Sequence, residues 1–410
     1  MKNAAAVPVN DHEISTPAIP QESYLRLFLR FLRFGLLAWG GPAAQIAMIR
    51  QELVDEEKWV TNERFNRVLA VYQILPGPEA HELCVYFGLL ARGRRGGLLA
   101  GLGFMLPGFV LMMMLSWFYV TYGLDSAFFV AAFYGMQAAV GAVIVRAVHR
   151  IGSHALHDRA LWGIAGLAML AQLSGLPFIV TLAVAGIAYM LFKRKMHWAT
   201  LGLGVISAVL IFIAVISITQ DHSSAASTSV AITSDPSLPG LFGSGLRSGL
   251  LTFGGAYTVI SYLQNDAVTV GQWMTNAQFL DGLALSGILP APLVIFGTFV
   301  GYVGGGFLGA IAVTIGIFLP AFAFTLVGHQ VVERLVENKA LHSFLDGVTA
   351  GVVGLIAATT LVLLRTAIPD VPALLIFAVG LVILFRWKSK LNVPVVVLGA
   401  AVVGLLLMNL

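Results

Sequence analysis

The run Gln73–Leu83, QILPGPEAHEL, sets two prolines, two carboxylates and an imidazole between apolar stretches. Proline lacks an N–H and clashes with the carbonyl four residues back, so Pro76 and Pro78 around Gly77 should break a helix, and a new one should start at about Pro78. A restarting helix offers unpaired N–H groups and the positive end of its dipole, which suits an anion. A simple kink that aids packing is the alternative. The carboxylates suggest proton chemistry. Glu79 falls in the first turn after the break, where it either caps the helix or carries a proton. Glu82 lies three residues on, about the same face. His81 can titrate near neutrality, or serve as a hydrogen-bonded packing residue.

Gly40-Gly41-Pro42 forms a second interruption. Glycine pairs allow an unwound turn or a close helix contact. Gln45 sits one turn further on and can donate to a substrate. Arg33 and Arg247 each stand seven residues before a glycine pair, Gly40-Gly41 and Gly254-Gly255. They either attract an anion to the site or snorkel to the lipid surface. The expected substrate-binding set is therefore Arg33, Gly40, Gly41, Pro42, Gln45, Pro76, Gly77, Pro78, Arg247, Gly254, Gly255 and Pro290. The proton-coupling set is Glu79, His81 and Glu82, with Asp281 and Asp346 as further candidate intramembrane acids. His81-Glu82 lacks the second histidine of a zinc-protease helix. The single Cys84 excludes an internal disulfide and a cysteine-built metal site. No metal, cofactor or nucleotide-binding domain is expected, and no basic tail suggests nucleic acid.

These residues need a frame, and composition supplies it. The chain has 410 residues, 58% hydrophobic and 11% charged, with a mean hydropathy of +0.88. That much apolar surface calls for a lipid bilayer as solvent. The expected fold is an all-α polytopic membrane protein with about 13 transmembrane segments, some broken or re-entrant. Segment 24–50 carries the glycine pair, and 62–91 carries the proline break near its middle. Lys and Arg gather at Arg92–Arg95, Arg146–Arg159, Lys193–Lys195 and Arg386–Lys390. With a cytoplasmic N-terminus these all fall inside, which leaves the C-terminus periplasmic.

Residues 35–78 match 249–292 without a gap. Trp59, Thr61, Asn62 and Phe65 recur as Trp273, Thr275, Asn276 and Phe279, and Ile74-Leu75-Pro76 with Pro78 recurs as Ile288-Leu289-Pro290 with Pro292. Pro107 then matches Pro320 after a one-residue gap. The expected division is a disordered cytoplasmic leader over 1–23, a first repeat over 24–197, a connecting helix and external linker over 198–240, and a second repeat over 241–410. Seven segments precede the second repeat, so it should insert upside down, as in secondary transporters that bind their cargo near the bilayer midplane.

The signatures Phe34-Gly35 to Trp39-Gly40-Gly41-Pro42, Leu75-Pro76-Gly77-Pro78-Glu79, and Phe253-Gly254-Gly255 with Leu289-Pro290 resemble the long-chain chromate ion transporters. The resemblance covers nearly the whole chain. It implies a bacterial inner-membrane protein that exports chromate and confers chromate resistance, built from two homologous domains in opposite orientation. It carries over to Gly40, Gly41, Pro42, Pro76, Gly77, Pro78, Glu79, Gly254, Gly255 and Pro290. The second copy has Ala291 where the first has Gly77. Moving a dianion outward under an inside-negative potential is downhill by about 2.3 kcal/mol per charge per 100 mV, so export can run on the potential or be coupled to protons. Sulfate is an expected competitor. An anion channel and, further off, an intramembrane enzyme using His81 and Glu82 are the rival readings. A homodimer is compatible with the sequence, which shows no interface.

Overall fold

The structure, a computed structural model, describes residues 19–123, 126–221, 236–253, 256–328 and 339–408. Most of the expected leader and of the external linker, and both Gly254 and Gly255, lie outside them. Helix is the only regular structure among the described residues. Among the described residues, five helical stretches are long and apolar enough to cross a membrane: Glu79–Tyr122, Ala127–Ala155, Trp198–Ile216, Leu293–Leu326 and Leu341–Ala367. Four shorter apolar helices accompany them.

The elements recur in order. Helices α1 (Tyr24–Leu36), α2 (Gly41–Arg50), α3 (Asn62–Ile74), α4 (Glu79–Phe118), α5 (Ala127–Ala155), α6 (Arg159–Leu173) and α7 (Phe178–Lys193) make the first set. Helix α8 (His197–Asp221) has no partner in the second. Then follow α9 (Leu238–Leu250), α10 (Val259–Gln264), α11 (Asn276–Gly287), α12 (Phe296–Leu326), α13 (Lys339–Ala367), α14 (Val371–Arg386) and α15 (Asn392–Met408). The local chemistry repeats with them. Thr61 caps α3 by accepting from the Arg64 N–H, and Thr275 caps α11 by accepting from the Gln278 N–H. The threonine of Trp-x-Thr-Asn is thus a helix start in both copies. A π-helical turn precedes that start in each, at Gln51–Glu56 and Asn265–Val270.

The proline breaks turn out sharper than an interrupted span. Phe65, early in α3, stacks on Phe87 at 6.4 Å, and the Arg64 Nε donates to the Tyr86 hydroxyl at 3.0 Å. Residues 22 apart in a continuing rod would be about 33 Å apart, so α3 and the start of α4 fold back on one another with Pro76-Gly77-Pro78 at the tip. The second copy does the same: Phe279 meets Phe296 at 4.8 Å, and a Cβ at Gly282 would strike Phe299. The span expected over 24–50 also folds back, with Arg30 of α1 meeting Glu52 beyond α2 at 3.0 Å, and the reading of 62–91 as one span is likewise revised to a hairpin of short helices. Each arm is about 20 Å long at 1.5 Å per residue, less than the hydrocarbon core.

A second reversal follows. Helix α4 turns at Arg92-Gly93, where Gly93 has φ 62°, and α12 turns at Gly305-Gly306, where Gly306 has φ 59°. A Cβ on Gly88 would lie 2.5 Å from the Gly96 carbonyl, and one on Gly301 would lie 2.4 Å from that of Gly309. Glycine lets the two arms close to backbone contact in both copies.

Contacts between the halves are reciprocal. Helix α5 packs on α14 and α15, while α13 packs on α6 and α7. The tip residue Gly77 rests on Ala321 of α12, and Ala291 rests on Gly108 of α4. Helices α5 and α13 run antiparallel: Gly141 faces Leu364, and Gly152 faces Val353. So do the second arms of α4 and α12, where Gly97 faces Leu326 and Gly101 faces Phe322.

Candidate functional site

At the first glycine pair the chain leaves α1 and reverses hand. Gly40 and Gly41 have φ 87° and 76°, and α2 starts at Gly41 with Pro42 in its first turn. Such backbone angles favour glycine strongly. The start of α2 faces a cavity of about 100 Å³, enough for one small oxyanion or a few waters. Its other walls come from far along the chain: Arg146 and Arg150 on α5, Tyr257, Ser286 and Gly287 at the end of α11, Ala291 of the second tip, and Ser389 and Asn392 at the start of α15. A Cβ on Gly41 would sit 3.7 Å from the Tyr257 hydroxyl. Both arginines lie within electrostatic reach of Tyr257 and of one another. Neither forms an ion pair among the described residues. Two neighbouring guanidinium groups with no ion-pair partner among the described residues, beside a helix N-terminus and three hydroxyls, are chemically suited to a multiply charged oxyanion.

Arg150 and Tyr257 also line a larger vestibule of about 630 Å³, with Glu79, His154, His157, His342 and Asp346. The vestibule sits at the end of the molecule that carries the end of α5 and the start of α13. Glu79 is half-buried there, within electrostatic reach of Arg150.

The expected site residues divide. Gly40 and Gly41 line the inner cavity; Pro42 and Glu79 line the vestibule. The cavity takes Leu289 and Ala291, the two neighbours of Pro290. Gln45 is buried and donates to the Ala38 carbonyl at 2.9 Å, so it holds the turn in shape. Pro76, Gly77 and Pro78 are buried, and the Gly77 N–H is used by the Thr252 carbonyl at 3.0 Å. Arg33 pairs with Glu52, and Arg247 with Asp266 at 2.8 Å; neither arginine lines the cavities. His81 is packed between Phe318 and Phe322, and Glu82 lies buried against Gly77. The chemistry missing from the sequence reading is Arg146 and Arg150. They read as loop charges at the end of a span, and the signal that could have marked them is their spacing, one turn apart, on a helix that runs on to Ala155.

A model of the family described as "Chromate transporter" matches residues 25–218 and 240–405, one stretch in each half. The chain belongs to the chromate transporter family. It is 54% identical over 402 residues to the chromate transport protein of Pseudomonas aeruginosa, covering 97% of this chain and 96% of that one. It is 29% identical over 394 residues to the chromate transport protein of Cupriavidus metallidurans, covering 95% of each. It is 29% identical over 400 residues to a probable chromate transport protein of Synechococcus elongatus, covering 94% and 96%. No solved structure matches it. Family membership makes this chain a membrane transport protein rather than an enzyme. The long apolar helices fit a multi-pass protein of that kind.

Proposed function

We propose that this transporter exports chromate from the cytoplasm across the bacterial inner membrane, binding the dianion between Arg146, Arg150 and the start of α2. The observation that carries this reading is the pair of unpaired arginines facing Gly40-Gly41 and Tyr257. Chromate is the cargo named for the relatives. Two guanidinium groups match its two charges, and the α2 N–H groups and the hydroxyls of Ser286 and Ser389 supply donors for its remaining oxygens. Sulfate has the same shape and charge and competes.

The open end supports a cytoplasmic entry mouth. The vestibule lies beside the Arg146–Arg159 and Lys193–Lys195 clusters, the end assigned to the cytoplasm. Cytoplasmic chromate would enter there, past the half-buried Glu79, which would exchange a proton with the site. Residues 24–197 and 241–410 serve as repeats of opposite orientation. The antiparallel pairing of α5 with its counterpart α13 supports this, and the two proline hairpins are re-entrant. The N-terminus is then cytoplasmic.

Everted membrane vesicles test the proposal. Labelled chromate should accumulate above empty-vesicle levels, and external sulfate should reduce the uptake. Vesicles that take up no more chromate than empty ones would end this reading.

A further inference from the structure

The open vestibule has a shut counterpart. Helices α5 and α13 end in register, at Ala155 and Ala367, and Asp158 and Asp370 each cap the helix that follows. Leu345 and Thr349, which line the vestibule at the start of α13, therefore correspond to Phe133 and Gln137 near the start of α5. Ile151, near the end of α5, corresponds to Leu363 on α13. These counterparts lie at the opposite end of the same two helices. There Leu363 is buried in one hydrophobic core, and Phe133 packs against it.

A single buried carboxylate ties that end together. Asp281 of α11 is 6% exposed. Its Oδ2 accepts from the Tyr119 hydroxyl at 2.8 Å, and its Oδ1 accepts from the Gln137 Nε2 at 2.8 Å. The Tyr119 ring meets Phe133 edge-on at 5.4 Å. Three elements therefore converge on one side chain: the end of α4, the start of α5, and α11, whose last residues Ser286 and Gly287 line the anion cavity. At the vestibule end this junction is missing. Arg67, which matches Asp281, is exposed, and the Thr349 hydroxyl bonds to Leu345 of its own helix.

We infer that Asp281, held by Tyr119 and Gln137, is the positioning residue of a gate that closes the anion cavity at the end opposite the vestibule. Opening that end requires the junction to part. Closing the vestibule would bring the matching surfaces of the other half together, as expected when two related halves exchange conformations. This rests on the transport reading, but not on which anion is carried.

Sided labelling tests it in the full chain, with Cys84→Ser as background. A membrane-impermeant maleimide should reach Phe133→Cys slowly, and Leu345→Cys readily from the vestibule side. Adding Asp281→Ala, or Tyr119→Phe together with Gln137→Leu, should speed labelling of Phe133→Cys about tenfold and slow that of Leu345→Cys. That is the shift made by about 1.4 kcal/mol in a two-state equilibrium. Asp281→Glu should restore the original pattern. Labelling unchanged at both positions in variants that insert normally would overturn the inference. A rise at both positions would also overturn it, since simple loosening is not reciprocal. Chromate uptake is not used in this readout, so its failure and that of the export reading remain distinct.

Discussion

Arg146→Gln removes one of the two charges that face the anion cavity. A hydrogen bond to a charged group contributes about 1.5–3 kcal/mol, so the half-saturating chromate concentration should rise roughly 10- to 150-fold. Arg146 is half-buried, where α5 crosses α13, and solvent screens it little. Arg150 is exposed and shared with the vestibule, so Arg150→Gln should cost only a few-fold, in the manner of a screened charge. Arg146→Lys keeps the charge and loses the planar fork, and should fall between wild type and Arg146→Gln. The control is Arg33→Gln. It removes an exposed cation whose partner Glu52 is also held by Arg30 at 3.0 Å, and should change half-saturation by no more than about twofold. Initial rates of chromate uptake into everted vesicles, across a concentration series, measure all four. Unaltered half-saturation in Arg146→Gln together with a large rise in Arg33→Gln would refute the site and restore the arginine expected from sequence.

Four further outcomes follow from named contacts. Gly88→Ala places a methyl 2.5 Å from the Gly96 carbonyl and should destabilise the protein by about 1–3 kcal/mol, while Gly163→Ala, with nothing within 4 Å, should leave thermal unfolding in detergent unchanged. Gly40→Ala meets both a φ of 87° and the Lys390 backbone at 3.2 Å, so it should lower transport more than Gly41→Ala, measured as uptake per inserted protein. Glu79→Gln should flatten the pH dependence of uptake while chromate still binds, if the vestibule carboxyl exchanges the coupled proton; an unaltered pH profile would reduce Glu79 to a helix cap. Asp158, in the turn between α5 and α6, is pushed upward by partial burial, but donors from Tyr189, the Leu161 N–H and Lys193 together hold it below the ordinary carboxylate range. A depressed folded value stabilises above the unfolded one and is lost on acidification through it. The stability gap between wild type and Asp158→Asn, read from thermal unfolding, should therefore be full at neutral pH, about 1 kcal/mol, and close as the pH falls below about 4.

Helix starts and breaks were legible because their causes are local. Thr61 and Thr275 cap by reaching three residues ahead. Pro76, Pro78 and the Gly40-Gly41 pair interrupt helices through their own backbone chemistry. The duplication was equally plain, since it needs only two stretches of chain to be compared. From the sequence alone came an oily, twice-repeated helical protein broken at known points.

What the sequence left open was where each chain segment went after its break. A proline marks the end of a helix and not the direction of the next one. That direction was decided by faces that meet only in the fold, such as Gly77 on Ala321 and Gly88 on Gly96. The same distance problem hid the proposed anion site. Arg146 and Arg150 look like ordinary interfacial charge until α5 carries them to Gly40, Tyr257 and Ser389. Arg33 looked suitable until Glu52 came within reach. Charge complementarity acts through space over a few ångströms, and only tertiary structure brings residues 40, 146, 257 and 389 that close together.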